Sequence, residues 1–224
     1  MSRPPLDSLN LGDHVGDDVQ DVVHNRRLFE DRCGAPAVFL KQVHGVKVLE
    51  ITPQTPDGAE ADACWTVSPQ LVCTIMVADC LPVLFYSPGQ RVAAAAHAGW
   101  RGLAGGVLEN TLQTLARLGA SKDLRIWLGP CIGPTAFEVG EEVVQAFVVS
   151  DPFAVSAFKP QTHAGKYLAD LPALARLRLA HAGASMVEGN DSSPSWCTFS
   201  RPEVFFSHRR DGRSGRFAAG IQLV

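Results

Sequence analysis

Three strand-like segments follow one another between residues 71 and 97, and they constrain the fold more than any other feature of the sequence. Residues 71–78 read Leu-Val-Cys-Thr-Ile-Met-Val-Ala, a nearly continuous apolar run typical of a strand buried on both faces. Residues 81–86 and 91–97 predict two more strands. A sheet with such strands needs a covering layer on each side, so the chain is expected to form a layered fold.

The rest of the chain mixes further strands with helices. Apolar residues at steps of three and four predict helices, and short apolar runs between turn residues predict strands. Helices are predicted over 19–32, 103–118, 141–149 and 171–181, the last capped by Asp170, and strands over 38–44, 46–51, 124–128, 203–207 and 217–224. Because strict βαβ alternation is absent, mixed sheets with helices packed outside are favoured over a Rossmann domain.

Size and composition predict a single domain, residues 1–224, and the absence of a signal core or membrane-spanning run predicts a cytoplasmic protein. Of the 224 residues 46% are hydrophobic, enough for one sizeable core, and the net charge of −3 offers no basic field for nucleic acid or an anionic membrane. The start, Met1-Ser-Arg-Pro-Pro, has no apolar signal core, and no apolar run approaches the roughly 20 residues of a membrane span. The six cysteines are therefore expected to be reduced.

Three residues able to bind a transition metal stand at the ends of predicted strands: His44, Cys80 and His97. Catalytic zinc commonly takes three protein ligands from His, Cys and carboxylate and leaves a fourth position open. The spacing is too long to form a local motif. The residues alone therefore leave open both a metal site and ordinary buried or hydrogen-bonded side chains.

Longer stretches around these residues resemble the laccase-domain (YfiH-like) family. The signature stretches are Gln42-Val-His-Gly45, Ala78-Asp-Cys-Leu-Pro82 and His97-Ala-Gly-Trp-Arg-Gly102. Others follow the same order: Ser8-Leu-Asn-Leu-Gly12 with His14-Val-Gly-Asp-Asp18, Gly129-Pro-Cys-Ile-Gly133 with Phe137-Glu-Val, and Ser207-His-Arg-Arg-Asp-Gly212. The resemblance therefore covers nearly the whole chain and rests on at least six motifs.

The resemblance implies an α/β fold of α+β type, a four-layer sandwich with two mixed β-sheets flanked by helices. It implies a metal bound by His44, Cys80 and His97. The implied activities are phosphorolysis of adenosine, inosine and 5'-methylthioadenosine, with purine nucleosides and phosphate as small-molecule partners, and adenosine deamination. An older attribution is copper-dependent polyphenol oxidation, and another description of the family is a peptidoglycan editing factor.

The chemistry of the residues favours zinc over a multicopper centre. Passing four electrons to oxygen needs several coppers and many histidines, whereas this chain has seven and no His-x-His pair. One Cys/His/His site suits a zinc ion that lowers the pKa of bound water to about 7. Copper remains an alternative because it binds such ligands more tightly when it is free.

Phosphorolysis also needs a cationic site for phosphate, and the sequence offers several arginines. Arg101 lies in a Gly-rich turn that starts a helix, and Arg209 and Arg210 follow as further candidates. Each has the alternative of a surface ion pair. Cys131 is a further thiol that either approaches the site or fills a tight turn, and His208 is expected at the surface or against substrate.

Two other predictions concern Asp62 and the start of the chain. Asp62 is a candidate for orienting a metal-bound histidine or acting as a general base, with turn capping as the alternative. Family members usually carry an extra strand and a Thr-Arg-x-Gly-Gly-like turn before the Ser-Leu-Asn-Leu-Gly stretch. Because the sequence lacks these residues, an arginine from that turn is expected to be missing.

A competing interpretation makes Cys80 a nucleophile and His97 its base in a deamidase or another cysteine hydrolase. It leaves His44 without a role. A third interpretation is a non-catalytic, metal-dependent partner in cell-wall quality control. The sequence leaves open the preferred nucleoside and the oligomeric state.

Overall fold

The structure is a computed structural model and describes residues 1–223. The helices are α1 (Val19–Cys33), α2 (Trp100–Gly105), α3 (Val107–Arg117), α4 (Glu141–Val148), α5 (Leu171–His181) and α6 (His208–Asp211). The strands are β1 (Ala37–Val38), β2 (Val48–Glu50), β3 (Ala63–Thr66), β4 (Val72–Val77), β5 (Leu81–Ser87), β6 (Val92–Ala98), β7 (Arg125–Leu128), β8 (Glu138–Gly140), β9 (Phe158–Pro160), β10 (Lys166–Ala169), β11 (Val187–Gly189) and β12 (Phe217–Gln222). Short 3-10 helices span Pro152–Ala157 and Pro194–Trp196.

Two mixed sheets form the centre of the fold. The six-stranded sheet has the order β11-β7-β5-β6-β3-β2, and the three-stranded sheet has the order β1-β4-β12. Both combine parallel and antiparallel pairs. The predicted sandwich of two mixed sheets flanked by helices is confirmed. The structure adds a small antiparallel sheet of order β8-β10-β9, which the sequence did not predict.

Strand β4 shows how the layers pack. Its alternate residues Cys73, Ile75 and Val77 face the six-stranded sheet, where they join one apolar cluster with Ala95 of β6. Residues of the opposite parity, such as Met76, belong to a second cluster beneath α1. Helices α2 to α5 cover the other face of the six-stranded sheet and form the largest core with it. Both faces of β4 are therefore buried, as its composition predicted.

The structure also differs from the predictions in three places. Residues 203–207 are not a strand: Val204 and Phe205 donate to the carbonyl of Arg201 in turns, and Phe206 packs on Gly215. The predicted helix 103–118 is broken at Gly106, whose φ is 99°. Predicted strand 38–44 is reduced to β1 at the start of that range. In each case tertiary contacts or a left-handed residue override the local apolar pattern.

No helix in residues 1–223 is long and apolar enough to cross a membrane.

Candidate metal centre

The three predicted ligands lie together at one edge of the sandwich. The ligand atoms of His44, Cys80 and His97 all lie within 4.8 Å of one another. The Sγ of Cys80 is 3.7 Å from the Nε2 of His44, and the two imidazole rings have centroids 4.7 Å apart. His97 is buried, Cys80 is half-buried and His44 is exposed. The cluster therefore has a buried side held by protein and an open side.

Strand connections bring the ligands to this edge. Cys80 lies in the turn between β4 and β5, and His97 lies near the end of β6, opposite Pro82 of β5 in register. His44 lies in the connection between β1 and β2, in a turn with φ of 60°, and not at a strand end as predicted. The β1–β2 connection, which carries His44, and the β4–β5 connection, which carries Cys80, both cross from the three-stranded sheet to the six-stranded sheet. The cluster therefore forms where the two sheets are joined.

Asp79 shapes the turn that presents Cys80. Its φ of 89° is left-handed, which is uncommon for a residue with a side chain and is offset here by hydrogen bonds. Oδ1 accepts from the Thr198 hydroxyl at 2.6 Å, and Oδ2 accepts from the Arg209 backbone N–H at 2.7 Å. The Asp79 carbonyl accepts from the Ile132 N–H. These distant segments fix the direction of the thiol.

Asp62 connects two of the ligands. Its carboxylate is fully buried and accepts the backbone N–H groups of Val43, His44 and Gly45 at 2.7 to 3.1 Å. Oδ1 also lies 2.9 Å from Nδ1 of His97. Because an ionised carboxylate only accepts hydrogen bonds, Nδ1–H of His97 donates and Nε2 is left for a metal. The structure thus places Asp62 where it orients His97 and holds the His44 turn.

Gly99 leaves the space in which the ligands meet. A Cβ at this position would lie 2.8 Å from Cδ2 of His44 and 3.0 Å from Sγ of Cys80. Gly102, one helical turn later, has a similar role, because its Cβ would lie 2.8 Å from the carbonyl oxygen of Gly45. The glycines of the His97-Ala-Gly-Trp-Arg-Gly102 stretch therefore allow α2 to approach the cluster closely.

The negative charge of Cys80 and the positive charge of His97 stabilise each other. Burial alone would raise the pKa of the Cys80 thiol, but the positive charge of His97 and hydrogen bonds from both histidines lower it to about 6. Burial alone would lower the pKa of His97, whereas the Cys80 thiolate and the Asp62 carboxylate raise it to about 9. The buried carboxylate keeps a lowered pKa because hydrogen bonds from His97 and Gly45 outweigh its burial. Cys80 is therefore a thiolate at neutral pH.

The three ligand atoms are close enough together to hold one metal ion. Zinc bonds of about 2.3 Å to sulfur and 2.0 to 2.1 Å to nitrogen put neighbouring ligand atoms about 3.5 Å apart. The 3.7 Å between Cys80 Sγ and His44 Nε2 agrees with this spacing. Two imidazole nitrogens and one thiolate are ligands of the type that zinc prefers, and the exposed side of His44 leaves the fourth position accessible.

The open side of the cluster faces a cavity of about 720 Å³. This volume lies within the usual range of small-molecule sites. Part of the lining is apolar and comes from Leu40, Met76 and Val77. Besides the three metal-ligand candidates, the polar or charged side chains of the lining are Asp13, His14, Lys41, Gln42, His208 and Arg216. His208 therefore lies where a ligand in the cavity would meet it, and Arg216, which the sequence analysis did not single out, lies there as well.

The predicted arginines lie outside this cavity lining. Arg101 is exposed and stacks over the ring of Trp100 at 4.3 Å. Arg209 donates from Nη1 to the Glu138 carbonyl, so its backbone and not its guanidinium serves the Asp79 turn. Arg210 donates to the carbonyls of Thr198, Phe199 and Phe205. A role for Arg101 or Arg209 in binding phosphate stays a prediction.

Cys131 also lies outside the cavity lining. It is almost fully buried, burial raises the pKa of its thiol, and Asn190 lies 3.5 Å from its sulfur. This environment matches a thiol that fills a turn.

Comparison with known proteins then places the chain in a family. The family model described as multi-copper polyphenol oxidoreductase laccase matches residues 1–224. The chain belongs to this laccase-domain family. It is 48% identical over 223 residues to a Pseudomonas aeruginosa protein named purine nucleoside phosphorylase, covering 100% of this chain and 89% of the relative. It is 46% identical over 226 residues to purine nucleoside phosphorylase YfiH of Escherichia coli, covering 100% and 90%.

Solved structures of laccase-domain proteins share the fold. A Neisseria meningitidis protein superimposes with a TM-score of 0.92 at 42% identity, covering 100% of this chain and 89% of the other. The YfiH protein of Bacillus licheniformis superimposes with a TM-score of 0.90 at 32% identity, covering 100% and 88%.

Proposed function

We propose that the protein is a zinc-dependent purine nucleoside phosphorylase, with adenosine deamination as a second activity. Its substrates are adenosine, inosine and 5'-methylthioadenosine, which react with phosphate to give the base and a ribose 1-phosphate. The observation that carries the proposal is the open His44, Cys80 and His97 cluster at the end of a cavity of about 720 Å³. The names of the curated relatives support the choice of reaction.

The proposed reaction breaks the bond between ribose C1' and the base nitrogen and forms a bond from C1' to a phosphate oxygen. The bonding electrons leave with the base, which also takes up a proton. Zinc bound here supplies a Lewis acid and lowers the pKa of a bound water, as deamination at purine C6 requires. Within the chain, His44, Cys80 and His97 hold the ion, and Asp62 keeps His97 in the productive tautomer.

Zinc is proposed over copper because one Cys/His/His site suits zinc, and the single ligand cluster of the described residues does not match a multicopper centre. In residues 1–223 one group of three His, Cys or carboxylate ligands is close enough to hold a metal. Reduction of oxygen to water needs four electrons, and a single such centre in these residues does not match that demand. We therefore do not propose the multicopper oxidation that the family description names.

The test combines metal analysis with product analysis. Purified protein is expected to hold about one zinc per chain and to release adenine from adenosine only when phosphate is present. His97→Ala should lose both the metal and the activity, whereas His163→Ala, which changes an exposed histidine, should keep both. Inosine formed without phosphate and no adenine release would make deamination the main reaction. A metal-free protein with neither product would refute the proposal.

A second candidate function is hydrolysis by Cys80 as a nucleophile with His97 as its base. The specific observation in its favour is the mutual stabilisation of a Cys80 thiolate and a protonated His97, with pKa values of about 6 and about 9. The two functions differ in Cys80→Ser. Loss of all turnover with full metal retention would favour the nucleophile, and parallel loss of metal and turnover would favour the zinc enzyme.

A further inference from the structure

Arg216 is the one arginine or lysine of the cavity lining that makes no close ion pair with a carboxylate of the described residues. Lys41 pairs with Glu60 at 3.2 Å, and the lining carboxylate, Asp13, pairs with Arg26 at 3.2 Å. Within residues 1–223, no carboxylate lies within ion-pair distance of the Arg216 guanidinium, although it is half-buried. The negative charges of Cys80 and Asp79 act on it from beyond ion-pair distance, so an anionic ligand that binds directly beside this partly buried guanidinium would stabilise it further.

The Arg216 side chain is held in a fixed position. Nη1 donates to the carbonyls of Ser214 and Gly215 at 2.9 and 3.0 Å. The Arg216 backbone N–H donates to the buried Asn10 side chain. Gly12 makes room for the aliphatic stem, because a Cβ there would lie 2.8 Å from Cγ of Arg216. The guanidinium is therefore ordered before any ligand arrives.

One edge of the guanidinium has no protein partner in the described chain. Within the described chain, every hydrogen bond of the guanidinium is donated by Nη1. The Nε–H and Nη2–H groups are therefore available to a ligand. This pair of parallel donors is the edge that binds two oxygens of a phosphate or carboxylate. The same cavity carries the imidazoles of His14 and His208, which offer further N–H donors.

The position of Arg216 links this edge to the metal cluster. Strand β12 pairs antiparallel with β4, and Phe217 lies opposite Val77, so Arg216 stands beside the end of β4 that leads to Cys80. The charges of Cys80 and Asp79 act on the guanidinium and partly offset the lowering of its pKa by burial. An anion on Arg216 would therefore share the cavity with a ligand at the metal.

We propose that Arg216 binds the phosphate co-substrate through its Nε–H and Nη2–H edge, with His208 at the same subsite. The identification of the anion as phosphate rests on the proposed phosphorylase function, because phosphate is its charged substrate and the nucleoside is neutral. Deamination uses water in place of phosphate, so it does not need this subsite. Arg216 thus distinguishes the two activities of one cavity.

The test is binding of inorganic phosphate to the metal-loaded protein by titration calorimetry. Arg216→Met, which removes the donors but keeps an apolar stem, should weaken phosphate binding at least tenfold. Arg117→Met is the matched control, because it removes an exposed arginine at the end of α3 that does not line the cavity, and binding should be unchanged. Arg216→Lys keeps the charge without the two-donor edge and should fall between wild type and Arg216→Met.

A second measurement avoids any folding defect of the variants. In wild-type protein with labelled arginine, phosphate should shift the Nε resonance of Arg216 more than that of Arg117. Turnover assays of Arg216→Lys should show the KM for phosphate raised by a larger factor than the KM for adenosine. Unaltered phosphate binding in a folded Arg216→Met protein, or binding of AMP without binding of inorganic phosphate, overturns the proposal. Phosphate binding through Arg216 in a protein that releases no adenine would refute the phosphorylase function and leave the anion subsite standing.

Discussion

At the residue scale, Asp62 contacts both histidines of the metal centre. One buried carboxylate accepts three backbone N–H groups around His44 and the Nδ1–H of His97, and the neighbouring Asp62 carbonyl accepts the His97 N–H at 2.7 Å. The same residue therefore sets the position of one ligand and the tautomer of another. The sequence analysis named Asp62 as a candidate for orienting a metal-bound histidine, with turn capping as the alternative, but it did not predict the contacts with the His44 turn.

The first prediction concerns this carboxylate. Asp62→Asn should lower zinc affinity about 10- to 100-fold, because an amide oxygen is a weaker acceptor and its NH₂ group opposes the surrounding donors. The measurement is competition for zinc with a chelator of known affinity. Asp31→Asn, an exposed change on α1, is the control and should leave the affinity unchanged. Equal affinities in both variants would remove Asp62 from the metal centre.

The second prediction concerns the pH dependence of Cys80 reactivity. Since the folded protein lowers the pKa of this thiol from 9.0 to about 6, the thiolate dominates above that pH. Alkylation of Cys80 by iodoacetamide in metal-free protein should therefore rise through a midpoint near pH 6, and His97→Gln should move the midpoint upward. Cys33 is an internal control, because burial and Glu30 raise its pKa above 9.0. Identical profiles for the two thiols, measured by peptide mass spectrometry, would contradict this pairing.

At the element scale, helix α5 begins as the sequence predicted. Asp170 is the N-cap: its Oδ1 accepts the Ala173 N–H at 2.9 Å and the Ser192 hydroxyl at 2.7 Å. The helix then packs Leu171, Leu174 and Leu179 into the main core. A local cap and a helical apolar period agree here, which is why its predicted limits matched the structure.

The third prediction follows from this cap. Asp170→Ala should lower the free energy of unfolding by about 1 to 2 kcal/mol, as measured by urea denaturation, because the first turn loses an acceptor. Asp170→Asn keeps a side-chain oxygen and should lose less. Zinc affinity should not change in either variant, since Asp170 does not line the cavity. Equal stability of the alanine and wild-type proteins would show that the cap contributes nothing measurable.

At the scale of the whole molecule, the metal ligands join the two sheets. His44 and Cys80 lie in the connections from the three-stranded to the six-stranded sheet, and His97 belongs to the six-stranded sheet itself. The charges of Cys80 and His97 already stabilise each other without a metal, with Asp62 hydrogen-bonded to His97. A bound ion would therefore hold together segments that are far apart in sequence.

The fourth prediction is that metal removal lowers the thermal stability of the whole fold. Binding to the folded state alone stabilises it by about 4 kcal/mol when free metal exceeds the dissociation constant a thousandfold. Chelation should therefore lower Tm, and added zinc should restore it in a concentration-dependent manner. Cys80→Ser, with a weaker ligand, should respond less to zinc. A Tm independent of zinc in wild-type protein would exclude metal binding to this cluster.

The sequence by itself determined the strands and helices with a clear period, including β4, β5, β6 and α5, and the residue types of the cluster. It also carried the family resemblance through motifs around His44, Cys80 and His97. These features are local, because the burial of a strand or helix face is written in neighbouring residues. The strand predicted over 203–207 was wrong because its aromatic residues pack on residues outside that segment. Phe205 contacts Phe217, and Phe206 packs on Gly215.

Only the tertiary structure decided which residues surround the cluster. Antiparallel pairing of β12 with β4 brings Arg216 to the cavity, whereas the arginines suggested by position in the sequence, Arg101 and Arg209, lie outside its lining. A prediction of that pairing would have found Arg216, because the start of β12 then lies beside the end of β4. The physical reason is that distances between segments depend on strand order and register, which no local pattern of hydrophobicity or charge specifies.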